Sequence, residues 1–347
     1  MPSRRLRLRF LSPPETSAAQ LLARSLERRS ALLASLHAEG TDCYRLLHGA
    51  VEGSPGLTID RYGSVLLLQT WGHLLQRADI DAVHQVAEAA LGVSLKPVWN
   101  ARGGKAAAFQ DHFAFDDPGP FVGQESGLRF DVRPRHRGID PLLFLDLRVG
   151  RRLLLERAKG MDVLNLFAYT CGLGVASARA GCRRVLNVDF AASALEVGQR
   201  NAELSGCPGE SFETACADVL PTIRQLAGLP VKGRASRRRP YQRFEPHQFD
   251  LVLLDPPAWA KGPFGAVDVV RDYPSLFKPA LLATRPGGAM LVTNNFAAVG
   301  RDDWQGVLER CAAKAGRPIG DISWLQPESD FPSPDGRPPL KMAWLQV

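Results

Sequence analysis

The chain of 347 residues has no apolar run approaching the roughly 20 residues that cross a bilayer, which argues against a helical membrane protein. Its opening, "MPSRRLRLRFLSPPE", is basic but lacks the apolar stretch of a secretory signal, so a cytoplasmic location is expected. The six cysteines (Cys43, Cys171, Cys182, Cys207, Cys216 and Cys311) are scattered without paired spacing. Neither a zinc site nor a disulfide framework follows from them; reduced, largely buried thiols and no bound metal are expected. No internal repeat is present. What remains is the composition of an ordinary globular protein, 45% hydrophobic and 23% charged, long enough for two domains.

The formal charge of +7 is unevenly spread. Arg4, Arg5, Arg7 and Arg9 contribute +4, and the stretch from Arg224 to Glu245 contributes +6, so everything else sums to −3. Two basic segments therefore carry the whole excess. Such segments suit the phosphate backbone of a nucleic acid, although a pair of solvated arms fits the charge alone equally well.

Hydrophobic periodicity divides the chain. After the basic start (1–17), leucines at helical spacing over 18–40 predict an amphipathic helix ending at Gly40, and strands and a helix follow to give a small α+β domain over 18–118. The Pro/Gly-rich stretch 119–150 reads as a linker and hairpin. From 151 to 347 strands alternate with helices, and a basic insertion occupies 228–247. This alternation predicts an α/β fold with a doubly wound, mostly parallel, Rossmann-like sheet.

The ends of the predicted strands carry polar groups in order. "VLNLFAYTCGLG" places Asn165 to Thr170 at the end of the first strand, with Gly172 and Gly174 in the turn that opens a helix. "VLNVD" ends the second strand in Asp189, an acid that can accept hydrogen bonds from both hydroxyls of a ribose. "CAD" ends the third in Asp218. The fourth is the apolar run Leu251 to Leu254, stopped at Asp255 because Pro256 and Pro257 cannot donate to a ladder. Ligands of open α/β sheets bind at such strand ends. The glycine pattern of a dinucleotide site is incomplete, with Ser177 in its third position, so the set fits S-adenosylmethionine better than NAD.

At this point the sequence resembles a known family. "EGTDCYRLLHGAVEGSPGLTIDRYG", "FLDLR", "NLFAYTCGLGVASARAGCRRVLNVD", "DPPAW" and "PLKMAWLQV" are similar to the class I S-adenosylmethionine-dependent methyltransferases of large-subunit ribosomal RNA, the group holding cytosine-C5 and guanine-N7 enzymes. The likeness runs from about residue 20 to the end. It implies S-adenosylmethionine as cofactor, with Asn165, Phe167, Tyr169, Gly172 and Gly174 around its methionine part, Asp189 on the ribose and Asp218 at the adenine edge. Asp146 and Arg148 of "FLDLR" would close that pocket. Asp255, Pro256 and Pro257 would face the reacting methyl and the target base.

Two departures bear on the substrate. The cytosine-C5 members begin with a small RNA-binding domain, and here only about twenty residues precede the first helix. At "VTNNFA", where those members carry a Thr-Cys pair, this chain has Asn294. Carbon 5 of cytosine needs a thiolate added at carbon 6, and neither "DPPAW" nor "TNNFA" offers one. Cys171, in the cofactor turn, is expected to be a packed thiol. A nitrogen target needs only positioning, so Asp255, Pro256, Pro257 and Asn294 are the expected catalytic set. Trp259, Asn295, Arg237, Arg238 and Arg239 are the expected substrate contacts. Lys261 reads as a solvated loop lysine and Tyr273 as core.

The expected function is thus methylation of a base nitrogen in ribosomal RNA. Three alternatives stand: a methyltransferase of a protein or small molecule, an RNA-binding protein with a vestigial cofactor pocket, and an NAD-dependent oxidoreductase. The sequence does not specify an oligomeric state.

Overall fold

The computed structural model describes residues 16–102, 119–135, 141–231, 241–262 and 265–347, and over 259–271 the backbone alone. The basic start and Arg237, Arg238 and Arg239 lie outside the described residues, as do the side chains of Trp259 and Lys261. The chain divides into two compact units, residues 1–123 with 133–141, and residues 124–132 with 142–347. The connector expected over 119–150 is therefore shared between them. The reason is local: the Asp131 N–H donates to Asn201 Oδ1 at 2.8 Å and the Arg129 N–H to Ser205 Oγ at 3.0 Å, which binds residues 129–131 to a helix of the second unit.

In the first unit, α1 (Ala18–Arg28) and α2 (Ser30–Ala38) replace the single helix expected over 18–40. Ser17 and Gln20 cap α1 reciprocally. The break falls at Arg29, whose buried guanidinium pairs with Glu52 at 2.6 Å. Four strands, β1 (Cys43–His48), β2 (Leu57–Tyr62), β3 (Val65–Trp71) and β4 (Lys96–Arg102), form one sheet in sequence order, with β3 and β4 parallel. A one-turn helix α3 (Gly49–Glu52) links β1 to β2, and α4 (Arg77–Leu91) links β3 to β4. Leu22, Leu36, Tyr44, Ile59, Leu68 and Val83 are fully enclosed between sheet and helices.

The second unit opens with the hairpin β5 (Val122–Glu125) and β6 (Leu128–Asp131), then α5 (Arg148–Arg157). There follow β7 (Asp162–Leu166), α6 (Gly172–Arg179), β8 (Arg184–Asp189), α7 (Ala192–Leu204), β9 (Phe212–Cys216), α8 (Val219–Leu226) and β10 (Phe249–Leu254). A hairpin of β11 (Trp259–Gly262) and β12 (Gly265–Asp268) precedes α9 (Val269–Ala283) and β13 (Thr284–Asn294). The chain closes with α10 (Arg301–Lys314), β14 (Asp321–Leu325) and β15 (Lys341–Gln346).

Seven of these strands form one sheet in the order β14-β15-β13-β10-β7-β8-β9. All pairs are parallel except those of β15, which runs antiparallel to both β13 and β14. β10 is buried from Leu251 to Leu254, as its continuous apolar run predicts for a strand covered on both faces, and β7 beside it is buried along its whole length. From β7 the chain winds outward to β9, then crosses back to β10 on the other side, so the strand order reverses between β7 and β10. In doubly wound sheets the ligand crevice lies at the carboxyl ends of the strands at that reversal.

Candidate active site

A cavity of about 330 Å³ opens at this reversal, within the size range of small-molecule sites. Its floor is the turn from β7 into α6. The strand stops at Leu166, and Phe167, Tyr169 and Cys171 take left-handed φ values of 58°, 49° and 59°. Three such residues in alternation are costly for non-glycine side chains and persist only where surroundings enforce them. Asp189 does much of the enforcing: one carboxylate oxygen accepts the Tyr169 N–H and the other the Ala191 N–H, both at 2.9 Å. Burial pushes the Asp189 carboxyl up from its usual range, while these backbone donors oppose the shift.

Several residues expected from the sequence meet in this cavity. Asn165, Phe167, Tyr169, Gly172 and Asp189 line one side, and Asp146, Asp255, Pro256, Pro257 and Asn295 also line it. Four do not. Gly174 packs instead against Asn187, where a β-carbon would lie 1.9 Å from Oδ1, so glycine is required there for sheet-to-helix contact. Asp218 caps α8, accepting the Leu220 N–H at 3.0 Å, outside the cavity. Asn294 is buried and folds back to accept the Phe296 N–H at 3.0 Å.

Arg148, the fourth, corrects the reading of "FLDLR". Its guanidinium is 1% exposed and pairs with Glu328 at 2.9 Å and Asp330 at 2.7 Å, anchoring the connection between β14 and β15. The arginine at the cavity is Arg151, one helical turn on, which the sequence reading missed. Glu125 grips it through both oxygens at 2.6 Å, and it donates to the Phe144 carbonyl at 3.0 Å. Leu143, Phe144, Thr170, Phe190 and Leu340 were missed as well. Phe144 and Phe190 remain 44% and 50% exposed at the rim, the Phe144 ring tilted against that of Tyr169 at 5.4 Å.

Asp255 is the group with the most unusual environment. Burial pushes its carboxyl up to about 6; the Thr293 hydroxyl, which donates to Oδ1, works the other way, and nearby Asp146 and Arg151 raise and lower it respectively. Behind it the Tyr273 hydroxyl donates to the Thr293 carbonyl at 3.0 Å. Tyr273 itself is buried core, edge-on to Trp304 at 5.4 Å, as expected. A carboxyl poised near neutrality beside a cavity is a candidate proton acceptor.

No thiol lines the cavity among the described residues. Cys171 is fully buried, its Sγ against Gly198, where a β-carbon would lie 2.4 Å away. Burial raises this thiol far above its usual range, so it stays protonated and hidden. No cluster of metal-ligating side chains and no helix long and apolar enough to cross a membrane occurs among the described residues.

The donor set suits S-adenosylmethionine: a carboxylate at the end of β8 for hydroxyls, an exposed aromatic beside it, and amide and acidic groups around a largely apolar hollow. Comparison with known proteins agrees. The model of an S-adenosylmethionine-dependent methyltransferase family matches residues 44–212. A ribosomal RNA large subunit methyltransferase of Deinococcus radiodurans is 29% identical over 339 residues, covering 90% of this chain and 76% of the relative. Ribosomal RNA large subunit methyltransferase I of Erwinia tasmaniensis is 27% identical, over 85% and 71% of the two chains. A methyltransferase crystallised with SAH superposes over 98% of this chain and 83% of its own with a TM-score of 0.77 at 22% identity. At that identity the superposition shows the fold alone; the family match adds the chemistry. The chain is similar to the S-adenosylmethionine-dependent methyltransferases over residues 44–212 and to these ribosomal RNA enzymes over most of its length; it is an S-adenosylmethionine-dependent methyltransferase, with S-adenosylmethionine as its cofactor.

Proposed function

We propose that this enzyme methylates a nitrogen of a base in large-subunit ribosomal RNA. The names of the relatives support the RNA class. The observation that carries the nitrogen target is the wall at the ends of β10 and β13, which presents Asp255 and Asn295 and no thiol among the described residues.

S-adenosylmethionine supplies an electrophilic methyl group. The chain's own residues do the rest. Asn165, Phe167, Tyr169, Gly172, Phe190 and the Asp189 carboxylate would hold the cofactor, and Asp146 and Arg151 would bound it on the α5 side. Asp255, ionised above about pH 6, would accept the N–H of an exocyclic amine and take up its proton as the new bond forms. Pro256 and Pro257 hold the strand end rigid, and Asn295 offers both donor and acceptor to a base edge. Alignment of this kind contributes up to about 7–11 kcal/mol to a transfer reaction.

The test is mass spectrometry of nucleosides from ribosomal RNA of cells with and without this protein. A methylated purine or cytosine nitrogen that disappears on deletion is expected. Loss of 5-methylcytidine instead would overturn the nitrogen assignment, and an unchanged nucleoside profile would overturn the RNA assignment.

A further inference from the structure

A second cavity, of about 580 Å³, lies beside the first. Leu340 lines both. Asn295 belongs to the first cavity and Ala297 to the second, with the exposed ring of Phe296 between them in the chain. The second cavity is framed by Gly300 and Arg301 at the start of α10, Trp324 on β14, Arg337, and Lys341 at the start of β15.

Lys341 is the feature that asks for a ligand. It is only 6% exposed, and its Nζ donates to the Phe296 and Pro339 carbonyls, both at 2.7 Å. An ammonium has three N–H groups, so one is left over. Among the described residues no carboxylate pairs with it, and burial lowers it to about 8. A buried cation without an anion is costly unless its counter-charge arrives from outside. At the rim, the Arg301 guanidinium rests 5.4 Å over the Trp324 ring, and Arg337 is exposed. The rim also carries Asp302, Asp303 and Asp335. Asp302 is 92% exposed on its side chain and lies 3.6 Å from Arg301 Nε, and Asp335 accepts the Ser333 hydroxyl and the Arg337 N–H. These three acids balance the charge of the two arginines and Lys341 over the lining as a whole, but Lys341 is the enclosed charge, and it is positive.

We propose that the second cavity takes the sugar-phosphate backbone of the RNA strand carrying the target base, with a phosphate on Lys341 and Arg301 and Arg337 at the rim. The inference rests on the RNA substrate proposed above. It accounts for the adjoining position: a base entering beside Asp255 must bring its neighbouring nucleotides along the 295–301 wall, and backbone contacts of this kind fix register. A guanidinium laid on an indole is already ordered for a phosphate or a base.

Steady-state methyl transfer to deproteinised large-subunit ribosomal RNA tests this with the full chain. Replacing the two exposed arginines together, Arg301→Ala with Arg337→Ala, avoids the folding risk of a buried site. A rise of about tenfold or more in KM for RNA, with kcat retained, SAH affinity unchanged by calorimetry and a shallower salt dependence, is expected. Lys341→Gln should move KM the same way and Lys341→Arg should keep it near wild type. Wild-type KM and salt slope in both the double variant and Lys341→Gln would overturn the subsite. So would inhibition of the wild type by polyglutamate with none by oligouridylate, which would make the ligand an acidic peptide. Wild-type enzyme that methylates no RNA removes the RNA reading itself and this inference with it, a result seen in the wild-type arm alone.

Discussion

Thr293 stands at the end of β13 and Asn295 is the first residue past it. Thr293 reaches Asp255 and Asn295 reaches the cavity, while Asn294 between them turns inward to the Phe296 N–H. Asp255 and its two prolines were legible because proline ends a strand by purely local chemistry. The roles of Arg148 and Arg151 were not, since the partners of Arg148 lie 180 and 182 residues away. The hydrogen bond between Asp255 and Thr293 makes a testable prediction. Thr293→Val removes a donor that lowers the Asp255 carboxyl, so the carboxyl rises above about 6. Because the ionised form accepts the proton, activity falls as pH drops through that value. The acid limb of kcat should therefore move to higher pH in Thr293→Val and return in Thr293→Ser, as read from a pH–rate profile.

Among elements, the parallel strands announced themselves as apolar runs, and the helices by spacing and caps. The turn from β7 to α6 did not. Left-handed φ at Phe167, Tyr169 and Cys171 is disfavoured by each residue's own propensity and is imposed by Asp189 and the packing around it. The division of 18–40 into α1 and α2 was hidden for the same kind of reason, because Arg29 turns toward Glu52, which lies on a different element. The connection between β14 and β15 forms a wall of both cavities through Leu340 and is held at a distance by Arg148. Arg148→Ala leaves the fully buried Asp330 carboxylate without that guanidinium, and a loss of about 3–5 kcal/mol is expected. Arg148→Lys restores part of it but not the forked geometry. Urea unfolding of the two variants checks both expectations.

For the whole molecule, the sheet and its order follow from alternation of strand and helix, but the boundaries between units do not. The hairpin of β5 and β6 is expected within the linker stretch 119–150, yet its Glu125 supplies the grip on Arg151 inside the second unit. The uneven charge is also a property of the whole chain. If the segment around Arg237, Arg238 and Arg239 meets RNA phosphates, replacing all three with glutamine should flatten the dependence of log K on log salt by up to about 3, near 0.9 for each phosphate no longer neutralised. An unchanged slope in a fluorescence binding titration would return that segment to solvent.

One consequence of the strand order concerns the timing of assembly. β15 follows β14 in the chain, yet it sits between β13 and β14, and among the described strands β14 has no other neighbour in the sheet. β14 therefore joins the sheet only once residues 341–346 have paired with β13, against the direction of the other strands. The same insertion brings Lys341 and the preceding Leu340 to their places, so docking of β14 and completion of the wall shared by the two cavities are one event.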